Sequence, residues 1–168
     1  MYAGIIVDTK NFAVQTGVRT FDAAAYLRRS GADPEIVREL FSFDFETVRD
    51  RARILSDAKI DDGIAMAVCP SGTQNVTIVA AQIADTLINI DNVSASFTFY
   101  ELNTDCIGIS ARSKGEINVQ LVMETLGGGG HRTVAGAQIK GRSVEEAQDD
   151  VMAALHEVLN KNKENEKE

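Results

Sequence analysis

No stretch of the 168-residue sequence approaches the roughly 18 consecutive apolar residues that a membrane-spanning helix requires. The opening run Met1-Tyr2-Ala3-Gly4-Ile5-Ile6-Val7 is apolar but has no basic segment ahead of it, so it is not expected to be a secretory signal. Cysteine is scarce. Cys69 and Cys106 stand alone in apolar runs without metal-binding spacing, which points to buried thiols in a reducing compartment. Positive charge is short as well: 17 Lys and Arg face 25 Asp and Glu, giving a formal net charge of −8 and a pI near 4.8. Coating nucleic acid by bulk charge needs clustered basic residues, which argues against that class. Aromatic residues make up 6%, which leaves little for stacking a single strand. A small nucleotide needs only a few well-placed donors and stays open. Internal repeats and low-complexity linkers are absent too.

What is present has ordinary globular composition, 44% hydrophobic and 25% charged. Residues 4–8 read as a strand, apolar on both faces and stopped by Asp8. Such a strand needs neighbours, so Met1 looks like a cut inside a larger domain. Thr20 is expected to cap a helix from Phe21 to Leu27 that Gly31 ends. Asp33-Pro34 places an N-cap before proline at the first helical position. Asp44 opens a helix in which Phe45, Val48, Ala52 and Leu55 form one stripe, with Arg49, Asp50, Arg51 and Arg53 on a solvated face. Residues 64–69 predict a strand, closed by the turn chemistry of Pro70-Ser71-Gly72. Val76, Val79, Ala80, Ile83 and Leu87 then share a helix face. Residues 93–100 alternate, and Asn103-Thr104-Asp105 turns them back into 106–111, predicting a hairpin. Ile117, Leu121 and Val122 mark a further helix, and residues 135–139 a further strand. Ser143 with Glu146 forms a capping box that opens a last helix. The fold expected is α/β: residues 1–57 with one core strand followed by helices, and residues 58–168 with a mixed sheet flanked by helices.

Three segments could carry chemistry. Gly127-Gly128-Gly129-Gly130-His131 lies between a predicted helix and strand. One glycine suffices to end a helix. Four expose consecutive backbone N–H groups and let a ligand approach the main chain. His131 adds a side-chain donor beside them. A flexible connector is the competing reading. Ser110-Ala111-Arg112-Ser113 leaves a strand, with Lys114 and Asn118 following. The guanidinium fork of Arg112 suits phosphate oxygens, although an arginine at a strand end is commonly a plain surface residue. Both segments flank the same helix and so could face one ligand. Asp8 ends the first strand, where open sheets place ligand sites, and its carboxylate suits a divalent cation; a turn or cap is the alternative. His156, on the last helix, reads as structural or solvent-facing.

Taken together, several segments resemble the DHH phosphoesterase family: residues 4–12 with their Asp-Thr-x-x-Phe pattern, Arg19-Thr20-Phe21-Asp22-Ala23-Ala24, Ile109-Ser110-Ala111-Arg112-Ser113, Asn118-Val119 and the glycine–histidine run. The likeness is greatest to the DHH and DHH-associated region of membrane-anchored cyclic-di-AMP phosphodiesterases of Gram-positive bacteria, which also carry PAS and degenerate GGDEF domains. The resemblance implies the end of a DHH domain in residues 1–57 and a DHH-associated, substrate-binding domain in residues 58–168. It implies that Asp8 is a ligand of a manganese pair, and that Gly128, Gly129, Gly130 and His131 hold the nucleotide. Arg112 and Ser113 would meet substrate phosphate, and Asn118 belongs to the same stretch. No catalytic residue is assigned. The name-giving Asp-His-His triplet and the His-x-Asp-x-Asp motif are missing, since the sequence has only His131 and His156. The chain alone is therefore expected neither to hold the Mn²⁺ pair nor to turn over substrate.

The implied function is hydrolysis of cyclic di-AMP to linear pApA by the intact enzyme. The alternatives are a nanoRNase or adenosine bisphosphate phosphatase of the same superfamily, and a noncatalytic nucleotide or nucleic-acid binding module. The implied partners are a cyclic dinucleotide or short oligonucleotide, the upstream DHH domain of the same protein, and optionally a second copy in a homodimer. The implied location is a cytoplasmic domain of a membrane-anchored protein, itself without membrane contact.

Overall fold

A computed structural model describes residues 1–14, 16–42 and 44–165, with side chains as far as residue 161. The chain divides into two compact units, Met1–Thr47 and a second that begins at Val48.

The first unit is helical: α1 (Tyr2–Asp8), α2 (Val18–Arg29) and α3 (Pro34–Glu39). The strand expected over residues 4–8 is instead α1. The reason is hydrogen bonding. A lone strand leaves its N–H and C=O groups unpaired, and among the described residues this unit contains no strand to pair with. A helix satisfies them locally. Gly17, not Thr20, is the N-cap of α2, and Thr20 sits three residues in, accepting from the Gly17 amide at 3.4 Å. Asp33 caps α3 as expected, accepting from the Glu35 amide at 2.9 Å.

α4 (Phe45–Ser56) begins after Asp44, whose carboxylate accepts from the Thr47 amide at 2.9 Å. Its predicted stripe is not the buried one: Phe45 and Val48 are 75% and 50% exposed, whereas Ile54 is buried. Ile54 joins the core of the second unit, with Leu55 packed beside it.

The second unit is built on a mixed six-stranded sheet in the order β1-β2-β3-β4-β6-β5. The strands are β1 (Lys59–Asp61), β2 (Ile64–Val68), β3 (Ala95–Asn103), β4 (Cys106–Ser113), β5 (Gly129–His131) and β6 (Val134–Lys140). The helices are α5 (Val76–Leu87), α6 (Val119–Thr125) and α7 (Val144–Asn165). β2 and β3 are parallel, joined through α5, and the other pairs are antiparallel. The predicted hairpin is present, with Thr98 opposite Ser110 and Asn103 opposite Cys106. Two short strands form the sheet edges, β1 beside β2 and β5 beside β6.

Alternation sorts the side chains onto two faces. Phe97, Phe99, Ile107, Ile109, Ala135 and Ala137 face a core completed by α6 and α7. Ala65, Ala67 and Tyr100 belong to a second core, formed with Val79, Ala80, Ile83 and Leu87 of α5. The capping box at the start of α7 forms as its sequence predicts: the Ser143 amide donates to Glu146 and the Glu146 amide to Ser143 Oγ. His156 is exposed on α7, and both thiols are buried and unbridged. Among the described residues, no helix is long and apolar enough to cross a membrane.

Candidate functional site

Register places the two sequence signals on one face of the sheet. Arg112 of β4 pairs with Val134 of β6, and Val134 pairs with His131 of β5. Arg112 and His131 thus project from the same side, two strands apart, which is roughly 10 Å at ordinary strand spacing. One step along the strands, Ser110, Gly136 and Gly129 form the next row. Beside these rows lies an open cavity of about 510 Å³, lined in part by Tyr100, Ser110, Gly128, Gly136, Gln138 and Lys140.

Arg112 is held in place. Its side chain is 12% exposed, its Nε donates to Asp85 Oδ1 at 2.8 Å and its Nη1 to the Ala111 carbonyl at 3.0 Å. A guanidinium has five N–H groups, so three remain for a ligand. Asp85 was not foreseen from the sequence. The signal was nonetheless there: it is the single charged residue of a 12-residue helix.

The four glycines divide by role. Gly127, at φ +76°, ends α6 in a Schellman motif, with its amide on the Glu124 carbonyl at 3.0 Å and the Gly128 amide on the Met123 carbonyl at 2.8 Å. A Cβ on Gly128 would strike the Gly136 carbonyl and Ala137, and one on Gly130 (φ +146°) would lie 2.5 Å from Ala135 Cα. Those two are glycine because β5 and β6 approach closely. Gly129 alone of the strand's glycines has free space where a side chain would be. The run is thus ordered structure and not a flexible connector, and close approach of a ligand is open chiefly at Gly129. His131 is exposed.

Ser113 and Asn118 do not join Arg112 and His131 on the shared face. Ser113 follows Arg112 and so points to the opposite side. Its amide donates to the Thr133 carbonyl at 3.0 Å and its hydroxyl to the Arg132 carbonyl at 3.3 Å. The Val119 amide also donates to the Arg132 carbonyl at 3.1 Å, and Arg132 Nε donates to the Gly115 carbonyl at 3.0 Å. Four bonds therefore latch the Arg112 loop to the turn after His131. Asn118 caps α6 by accepting from the Gln120 amide at 3.1 Å.

In the first unit, Asp8 closes α1 and is exposed beside an apolar groove formed by Ile5, Ala23, Tyr26 and Leu27. Thr9 holds the motif's turn: its hydroxyl donates to the Ile5 carbonyl at 2.6 Å and accepts from the Phe12 amide at 2.9 Å. Lys10, Asn11 and Phe12 all adopt positive φ, an uncommon run for residues with a Cβ. Phe12 stacks on Phe21 with centroids 5.3 Å apart. Among the described residues, no three His, Cys, Asp or Glu side chains gather to hold a metal ion. A lone carboxylate in apolar surroundings does not by itself fit a Mn²⁺ pair.

These elements have known counterparts. Residues 61–161 match the DHHA1 domain. The chain is 44% identical over 156 residues, 92% of its length, to the cyclic-di-AMP phosphodiesterase PdeA of Listeria monocytogenes. It is 44% identical over 158 residues, 94% of its length, to the cyclic-di-AMP phosphodiesterase GdpP of Geobacillus thermodenitrificans. It spans 24% of the length of each. Among solved structures, an exopolyphosphatase-related protein from Bacteroides fragilis shares the fold, with a TM-score of 0.78 over 91% of this chain and 47% of that one at 23% identity. The matched segment takes in β2 to β6 with α5, α6 and most of α7, and the chain belongs to the DHHA1 domain family.

Proposed function

We propose that this chain is the substrate-binding part of a phosphodiesterase that opens cyclic di-AMP to linear pApA. The observation that carries the reading is the row in which Arg112 and His131 flank Val134 on an accessible sheet face. The 44% identity to two cyclic-di-AMP phosphodiesterases supports the choice of substrate. Arg112 directs its remaining N–H groups to phosphate oxygens. His131 contributes a ring donor across the row, and Gly129 leaves room for the nucleotide in the next row along. Ser113 and Asn118 act by fixing the two loops, through the latch and the α6 cap. Asp8 would supply one carboxylate to a Mn²⁺ pair held together with further ligands of the intact enzyme, and such a pair would supply an activated water. The natural setting proposed is the cytoplasmic side of a membrane-anchored enzyme.

Calorimetry of the chain with pApA and cyclic di-AMP tests the binding role. Arg112→Ala and His131→Ala should each weaken binding, Arg112→Ala by about 1.5–3 kcal/mol, the worth of a hydrogen bond to a charged group. Unchanged affinity in both variants would overturn the site. The intact enzyme, assayed with Mn²⁺, should prefer cyclic di-AMP. A preference for short linear oligonucleotides or adenosine bisphosphate would replace the substrate while keeping the site.

A further inference from the structure

We propose that Asp85 is a positioning residue that sets the phosphate-binding geometry of Arg112. The inference rests on the reading of Arg112 given above and adds a residue on a different element to that site.

α5 is fixed on the sheet before Asp85 makes any contact. Ile83, Ala84 and Leu87 are buried, and Ser96 Oγ donates to the Ala84 carbonyl at 2.8 Å. Ser96 is the β3 residue opposite Arg112 in the register. The helix is therefore pinned to the sheet at the cross-strand neighbour of Arg112, and Asp85 is the next residue along. Its Oδ1 accepts from Arg112 Nε at 2.8 Å, while its own carbonyl accepts from Asn89 Nδ2 at 2.7 Å. A second anchor, the Ala111 carbonyl on Nη1, holds the guanidinium at another point of its plane. Two anchors on one planar group fix its orientation. Arginine otherwise has a long, freely rotating stem, and pre-orientation lowers the ordering cost of binding.

A counter-charge role would act in the opposite direction. If Asp85 merely neutralised Arg112, deleting the carboxylate would raise affinity for an anion. If it positions Arg112, deletion lowers affinity, and a neutral acceptor of the same shape restores it.

The test is a double-mutant cycle on the full chain, read by calorimetry with pApA. Asp85→Ala should weaken binding about tenfold, one charge-assisted contact's worth, and Asp85→Asn should stay within about threefold of the parent. In an Arg112→Ala background, Asp85→Ala should cause no further loss. A ligand-free readout accompanies it: the Arg112 Nε–H NMR signal should be protected from exchange in the parent and in Asp85→Asn, and exposed in Asp85→Ala. Affinity in Asp85→Ala equal to or tighter than the parent would overturn the proposal. So would a loss that persists without Arg112, or an Nε–H signal indifferent to Asp85. If Arg112→Ala itself leaves pApA binding unchanged, the underlying site reading fails, and this result is distinct from an Asp85 variant failing alone.

Discussion

The second unit buries apolar clusters on both sides of its sheet, with Phe97, Phe99, Ile83 and Val151 at 0% exposure. In the first unit, among the described residues, only Thr9 and Ala24 are buried, while Val18, Tyr26, Ile36 and Leu40 are 79%, 65%, 60% and 68% exposed. A shortage of apolar side chains is not the cause, since residues 1–47 hold seven of the ten aromatics. The separation comes from the sheet. A strand can bury side chains on both of its faces, whereas three short helices around one small contact cannot enclose a core. The unit that carries the Arg112–His131 row is thus the self-supporting one, and the unit that carries Asp8 presents apolar surface suited to burial against other protein.

The largest test of that contrast is to separate the units. Residues 44–168, which keep the Asp44 cap of α4, should melt cooperatively and show dispersed amide signals. Residues 1–43 alone should show neither. A cooperative transition in the short piece would break the comparison. Next in size is a pair of truncations at apolar positions. Phe97→Ala should cost about 3–5 kcal/mol in urea denaturation, as for other fully buried aromatics, whereas Ile36→Ala should stay within about 0.5 kcal/mol. Equal costs would mean that the first unit has a core after all.

A finer contrast lies within the glycine run. Gly130→Ala forces a Cβ to 2.5 Å from the β6 backbone at φ +146° and should destabilise by about 1–3 kcal/mol. Gly129→Ala meets nothing within 4 Å and should leave stability nearly unchanged, while Gly129→Val should reduce pApA affinity. Thermal melts alongside calorimetry separate the two effects. Matching stability losses at 129 and 130 would show that β5 does not sit as described.

What the sequence disclosed follows the range of the interaction responsible. The hairpin of β3 and β4, the Asp33 cap and the Ser143–Glu146 box are local, set by residues within a turn of one another, and all form as read. The strand expected at residues 4–8 rested on apolar character alone, which a short helix shares when no partner strand is present. β1 did leave a trace: Asp62-Gly63, with φ +44° and +75°, is a two-residue hairpin signal lying between β1 and β2. The Arg112–His131 pairing was foreseeable as two loops around one helix, but its row depends on β6 register. The latch through Ser113 and the Asp85 contact depend on pairs 19 and 27 residues apart, which no local pattern encodes. For α4, periodicity found the helix, yet the buried position is Ile54 and not the stripe, because packing and not local pattern chose the face.

A last contrast sets one titrating group of each region against the other. Hydrogen bonds from Thr47 hold the exposed Asp44 carboxyl below its ordinary value. A depressed carboxyl stabilises above its unfolded pKa and loses that contribution as pH falls through the folded one, so Asp44→Ala should slightly flatten the acid limb of the stability curve. Cys69 works at the opposite end. Burial pushes its thiol up to about 11, against an ordinary value of 9.0. Between those values the folded state keeps a proton that the unfolded chain has released, so stability falls as pH rises through that window. The loss between pH 8 and 10 should be about 1 kcal/mol, and Cys69→Ala should remove this slope whatever it costs at neutral pH. The same burial keeps the thiolate scarce near neutrality, so thiol reagents should modify Cys69 only as the second unit unfolds. Rapid modification in the native protein at pH 7 would show that the end of β2 opens independently, and the self-supporting unit would then be smaller than its sheet.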